Sequence, residues 1–174
     1  MITVGLDLSL VKTGIAIVRS DNKVLYSGLV KSKPNGDKPI NELKRLDAIV
    51  NEIMSHLKAD KIDLVVIENL AFMARNTTAL TQLAGLNYLI RTRLWKELHI
   101  PFIMVAPTSL KKFITGSGKG DKSLMMMSVL RDYDFESLDD NECDAYSLAI
   151  LGLALLKKPV KKMNLAQKEV VNLL

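Results

Sequence analysis

Residues 2–18, ITVGLDLSLVKTGIAIV, place a single acid, Asp7, between two short apolar runs. Turn-bounded runs containing β-branched residues predict strands, here Ile2–Leu8 and Gly14–Val18, rather than a helix. Paired as a hairpin, they set Asp7 near the end of a central strand. A carboxylate inside an apolar run is costly to bury unless it binds a cation or meets hydrogen-bond donors. One reading makes Asp7 a turn cap that accepts from the backbone of Ser9 or Leu10. The other makes it part of a site, and the rest of the chain has to separate the two.

A third apolar segment, Val24–Lys31, completes a run of antiparallel strands, and KSKPNGDKPI (Lys31–Ile40) is a loop marked by Pro and Asn-Gly. Leu43, Leu46, Ile49, Val50, Ile53 and Leu57 recur at helical spacing within Asn41–Leu57. DLVVIEN (Asp63–Asn69) is a continuous apolar run ending in an acid, the pattern of a buried parallel strand. A long helix over Thr77–Leu98, a strand over Pro101–Ala106 and a short helix over Ser109–Phe113 follow. After a Gly-rich basic loop (Ile114–Lys122) come helices over Lys122–Tyr133 and Asn141–Leu156. Three strands, then helix, strand, helix, strand and more helices, predict an α/β fold. Its mixed five-stranded sheet has three antiparallel and two parallel strands, flanked by helices.

The 174 residues suffice for one domain with a sizeable core, expected over 1–156 with a basic tail over 157–174. A single cysteine, Cys143, rules out an internal disulfide. No apolar stretch reaches the ~20 residues of a membrane helix, and no signal-peptide pattern opens the chain. The expected location is therefore the cytoplasm. The formal charge of +5 is compatible with a polyanionic partner without requiring one.

Three acids stand out: Asp7, Glu68 at the end of the fourth strand, and Asp144 inside an apolar helix. If the first and fourth strands are parallel neighbours, Asp7 and Glu68 share the carboxyl edge of the sheet, where ligands of open α/β sheets bind. A buried carboxylate pair repels unless a divalent cation lies between its members. All-oxygen ligands favour Mg²⁺ or Mn²⁺ over zinc, and His56 and His99 read as solvated helix-end residues. Asp139 or Asp140 fits a helix N-cap, and Asp139 with Glu142 fits a capping box. Asn141, three residues before Asp144, and Asp140, four before, are on its helix face, so Asn141, Asp140 and Glu142 are the candidates for a fourth oxygen ligand. Two ions about 4 Å apart in such a site perform in-line phosphodiester hydrolysis without a nucleophilic side chain. Lys111, Lys112, Lys119 and Lys122, interspersed with Gly116, Gly118 and Gly120, allow charge and backbone to approach a phosphate.

With GLDLSLVKTG, ENLAFMARN (Glu68–Asn76), APTSLKKFITGSGKGDKS (Ala106–Ser123) and CDAYSLAI (Cys143–Ile150) in this order, the chain resembles the RuvC-type Holliday junction resolvases of the ribonuclease H-like superfamily. The resemblance runs from Ile2 to about Leu155. It implies a metal-dependent endonuclease that resolves four-way DNA junctions by paired symmetric nicks, using two Mg²⁺ ions per site, with Mn²⁺ as a substitute. It also implies a homodimer and no nucleotide cofactor. By position, Asp7, Glu68 and Asp144 match metal-binding catalytic acids, and Asn141 falls where the family has another acid or a His. Lys111 (or Lys112) and Lys122 match basic residues near the scissile phosphate. Phe72 matches an aromatic that stacks on an unpaired base, with Arg75 and Asn76 beside it on the nucleic acid. The helix over Thr77–Leu98, apolar on more than one face through Leu80, Leu83, Leu86, Leu89, Ile90 and Leu94 and opened by Gly85, is the expected dimer interface.

Other readings compete. An actin-like ATPase shares the first hairpin, but it needs two such domains and has no place for the lysine loop. A broader nuclease of branched DNA or RNA would keep the fold and metals. A non-catalytic junction binder would follow if Asn141 meant a lost metal site.

Overall fold

In the computed structural model, residues 1–36, 38–58, 61–70 and 77–174 are described. The expected contacts of Phe72, Arg75 and Asn76 lie outside them. The elements are β1 (Ile2–Asp7), β2 (Lys12–Arg19), β3 (Val24–Lys31), α1 (Pro39–Leu57), β4 (Leu64–Glu68), α2 (Thr77–Arg93), β5 (Phe102–Val105), α3 (Pro107–Thr115), α4 (Lys122–Tyr133), α5 (Asp140–Leu155) and α6 (Leu165–Leu173). The sheet has the order β3-β2-β1-β4-β5. β1–β2 and β2–β3 are antiparallel, while β1–β4 and β4–β5 are parallel, as expected.

Alternation along the strands splits the core into two layers. Val4 and Leu6 of β1, Ile15 and Ile17 of β2, and Val65 and Ile67 of β4 pack toward α1 and α2. Ala16, Val18, Leu64 and Val66 pack toward α5. On β1 the residues left for the α5 side are Thr3, Gly5 and Asp7, and on β4 the last is Glu68. The same two-residue period that builds the core therefore aims both acids at α5.

Strand glycines let α5 sit directly on the sheet. A Cβ on Gly5 would lie 1.9 Å from the Ala145 carbonyl oxygen, and one on Gly14 would lie 2.0 Å from that of Asn141. Farther along, Gly152 meets Val66 and Thr3, and the Thr3 hydroxyl donates to the Ala149 carbonyl at 2.7 Å. Four residues of helix advance ~6 Å, close to two residues of strand. Ala149 over Thr3 and Ala145 over Gly5 thus carry the start of α5 to the end of β1.

Several expectations need correction. The helix expected over Thr77–Leu98 changes at Leu94, where Leu94–Leu98 form a π-helical turn. The turn closes at His99, whose φ of 52° is left-handed. The helix expected over Ser109–Phe113 runs from Pro107 to Thr115, because Pro at the first position is preorganised for helix entry. Ile114 and Thr115 therefore belong to α3, not to the loop. Asp139 caps α5 through the amide of Asn141, but no capping box forms: Glu142 accepts from the Ser27 and Ser137 hydroxyls instead. His56 is not simply solvated, since its ring stacks on Tyr26 at 4.1 Å.

Beyond residue 156 the chain turns back through Lys157, at a φ of 59°, to α6. A capping box between Asn164 and Gln167 starts that helix, and Val170 is buried in the α5-side cluster. No helix among the described residues is long and apolar enough to cross a membrane.

Candidate active site

The β1–β2 turn satisfies itself without Asp7. The Ser9 amide donates to the Thr13 hydroxyl at 3.1 Å, which donates back to the Ser9 carbonyl at 2.8 Å. Amides of Val11 and Lys12 donate to the Ser9 hydroxyl. The carboxylate of Asp7 is thus released from capping, and its residue is only 9% exposed.

Register pairs Leu6 with Ile67, so the next residues, Asp7 and Glu68, stand side by side. Their carboxyl groups share a hydrogen bond, and the Asp144 charge acts on both. Burial, followed by mutual repulsion with the neighbouring acids, holds both carboxyls well above the ordinary range. Burial also lifts Asp144 to about 6, against the opposing pull of Lys122 and Lys111.

The two lysines arrive from separate helices. Lys111 is in α3, and its charge reaches Glu68 and Asp144. Lys122 opens α4, whose first turn is capped by the Asp121 carboxylate accepting from the Leu124 amide at 2.7 Å. Its ammonium pairs with Asp140 and feels Asp144 and Asp7, and the Asp140 hydrogen bond raises its pKa. The connecting loop is drawn tight: Gly116 turns the chain at a φ of 80°, and the Thr115 hydroxyl donates to the Lys111 carbonyl at 2.9 Å.

The other expected residues divide. Lys112 pairs with Glu169 of α6 at 2.7 Å and Lys119 sits in the exposed loop. The Asn141 amide donates to Asp139 at 2.9 Å, which engages one end of its side chain in the helix cap. Glu142 is held by Ser27 and Ser137, away toward β3. Asp140 is the fourth-ligand candidate whose charge acts on Asp144. Sequence reasoning missed Gly5, Gly14 and Gly152, whose signal was glycine inside strand or buried-helix patterns, and it missed the Lys122–Asp140 link.

Among the described residues, no three Asp, Glu, His or Cys side chains close on one point as they stand. The donors are nevertheless all hard oxygens. Cys143, next to Asp144 in sequence, is buried in the α5-side cluster with its thiol pushed up to about 12, mainly by burial. An array of desolvated carboxylates with raised pKa values is chemically suited to divalent cations of the Mg²⁺ type. An apolar cleft of about 360 Å³, lined by Leu8, Leu10, Leu80 and Leu83, opens beside Glu68.

A three-plus-two mixed sheet with acids on β1, β4 and an overlying helix defines a protein of the ribonuclease H-like class. Within that class, the family model described as "Crossover junction endodeoxyribonuclease RuvC" matches residues 3–152, and the chain belongs to this family. A Brachyspira hyodysenteriae protein of that name is 29% identical over 153 residues, 86% of this chain and 92% of the relative. One from Synechococcus sp. WH7803 is 24% identical over 157 residues, 85% of this chain and 95% of the relative. The structure of Thermus thermophilus RuvC in complex with a Holliday junction substrate superposes with a TM-score of 0.75 at 15% identity. It covers 91% of this chain and 97% of that one.

Proposed function

We propose that this chain is a divalent-metal-dependent endonuclease that resolves four-way DNA junctions by paired symmetric nicks. The observation that carries the reading is the placement of Asp7 beside Glu68 at the sheet edge, with the charges of Asp144, Lys111 and Lys122 acting on them, in a chain of the crossover junction endodeoxyribonuclease family. Asp7, Glu68 and Asp144 would hold two Mg²⁺ ions, for which Mn²⁺ substitutes, with a further oxygen from Asp140 or Asn141. Metal ions held by these residues would supply Lewis-acid activation of a water and charge stabilisation of the leaving oxygen. The acids fix the reaction's charge at the sheet edge. Lys111 and Lys122 bring positive charge to the phosphate and offset the anionic cluster while the strand docks. We also propose Lys112, Lys119, Phe72, Arg75 and Asn76 as nucleic-acid contacts.

The protein acts as a homodimer in the cytoplasm. Two nicks placed symmetrically about a four-way junction need two sites related by a two-fold axis. Leu86, Ile90 and Leu94, expected at the interface, are buried in the core, so support for α2 as the interface comes instead from its outward face, where Tyr88, Leu89 and, just beyond its end, Trp95 are 62%, 40% and 65% exposed. Arg91 stacks over the Tyr88 ring at 4.3 Å, and such aromatic and Arg groupings are favoured at interface centres.

The test is cleavage of an end-labelled synthetic four-way junction with Mg²⁺ or Mn²⁺, beside duplex, three-way and flap substrates. Paired symmetric nicks on the junction, lost in Asp7→Asn, are the expected result. Equal cutting of all branched substrates would replace the reading with a broader structure-selective nuclease. Tight junction binding without cutting under either metal would leave a binding protein.

A further inference from the structure

The C-terminal segment lies past the part of the chain that the family model matches, which ends at residue 152. It nevertheless grips both helices that deliver the lysines of the site. On α3, Lys112 pairs with Glu169 at 2.7 Å. On α4, the Gln167 side chain donates to the Tyr133 hydroxyl at 2.9 Å in a buried contact, and Lys161 stands 3.4 Å from Asp132. Between these tethers Val170, 3% exposed, packs in the cluster that contains Leu110 and Phe113.

Successive helical residues point about 100° apart. Lys111 and Lys112 therefore face different neighbours: Lys111 acts on Glu68 and Asp144, and Lys112 reaches α6. A roll of α3 about its axis that released Lys112 from Glu169 would swing Lys111 away from the acids. α3 has only nine residues, too short to hold its own orientation without packing. The Lys112–Glu169 pair is solvent-exposed and weak in energy, so it sets the rotation while the buried Val170 and Gln167 contacts supply the hold.

We propose that α6 is a clamp that orients α3 so that Lys111 faces the acids, with Val170 and Glu169 as positioning residues. The proposal rests on the assignment of Lys111 to the cleavage site. The decisive experiment is a double-mutant cycle in the full chain. Single-turnover cleavage of the four-way junction with Mg²⁺ is measured for wild type, Val170→Ala, Lys111→Ala and the double variant. Junction affinity is measured in Ca²⁺. Val170→Ala lowers the cleavage rate on the order of ten- to hundred-fold, the penalty of a small misplacement, at unchanged junction affinity. In the Lys111→Ala background it has no further effect. Glu169→Gln gives a smaller loss with the same dependence on Lys111. An equal loss in both backgrounds, or no loss, overturns the proposal.

Hydrogen exchange supplies a reading that needs no cleavage. Amides of residues 110–116 exchange faster in Val170→Ala while those of α1 are unchanged, and unaltered exchange in 110–116 also overturns the clamp. If the wild type cuts no junction and exchange still rises only there, the resolvase reading falls and the clamp stands.

Discussion

Replacing Asp144 by Asn removes a charge that the folded protein holds at a disadvantage. Burial lifts this carboxyl from 3.8 to about 6, with Lys122 and Lys111 pulling the other way. At about 1.4 kcal/mol per pH unit, the difference amounts to ~3 kcal/mol. Because the folded pKa is the raised one, the folded state binds the proton more tightly. Stability is therefore fully present below pH 4 and is lost as pH rises toward 6. In metal-free buffer at pH 8, Asp144→Asn should gain up to this amount, a figure that already includes the opposing pull of the lysines. For a chain of this size ~1 kcal/mol moves Tm by ~2–4 °C, so a rise of several degrees is expected at pH 8 and close to none at pH 4. Differential scanning calorimetry at the two pH values, with chelator, reads it directly. Adding Mg²⁺ then raises the wild type by ligand linkage, ~2.7 kcal/mol at a hundred-fold excess over Kd. The variant, lacking a ligand, rises less and the gap narrows. A variant that melts below wild type at pH 8 without metal would refute the premise that the charge is held under strain.

Gly5→Ala should destabilise the fold by ~3 kcal/mol or more and reduce cleavage, because its methyl has no space between β1 and the Ala145 carbonyl; thermal unfolding and a junction assay check it, and a wild-type Tm would show that α5 can lift freely. Changing Lys111 and Lys122 together to Ala should cut turnover on the order of a hundred-fold or more, measured in single turnover with saturating enzyme; an unchanged rate would make them solvated charges. Tyr88→Ala with Trp95→Ala should shift sedimentation from dimer to monomer at micromolar concentration, and a wild type that already sediments as a monomer would remove α2 as the interface.

The fold was legible because its signals were of long range in the chain and simple in kind. The apolar run of β4 ending in Glu68, and the runs either side of Asp7, each carried strand period and an acid at one end. The antiparallel-then-parallel order followed from the lengths of the connections. What sequence could not weigh was competition among polar neighbours. Asp7 and Ser9 are both plausible caps for the same turn, and only the packing decides that Ser9 and Thr13 take it. Glu142 fits the spacing of a capping box, yet Ser27, 115 residues away in the chain, draws it to β3. The pairing of Asn164 with Gln167 was a readable start signal for α6, obscured by the lysines around it.

Asp7, Glu68 and Asp144 also place a desolvation penalty where α5 packs on the sheet. The alternation that buries Val4 and Leu6 on one face sends Asp7 to the other, and glycines bring α5 down onto it. Closing that helix is what desolvates the acids, so tighter packing of α5 and a higher charge penalty are one event. Lys111 and Lys122 relieve part of the penalty from outside the sheet, without entering it. A cation at the acids would relieve the rest. The protein should accordingly be most stable when it is ready to cut, with metal binding and the order of α5 rising together. Exchange of α5 amides with and without Mg²⁺ measures this coupling: protection should increase from Asp140 through Ala149 on adding metal, and equal protection in both conditions would separate the chemistry of the site from the packing that forms it.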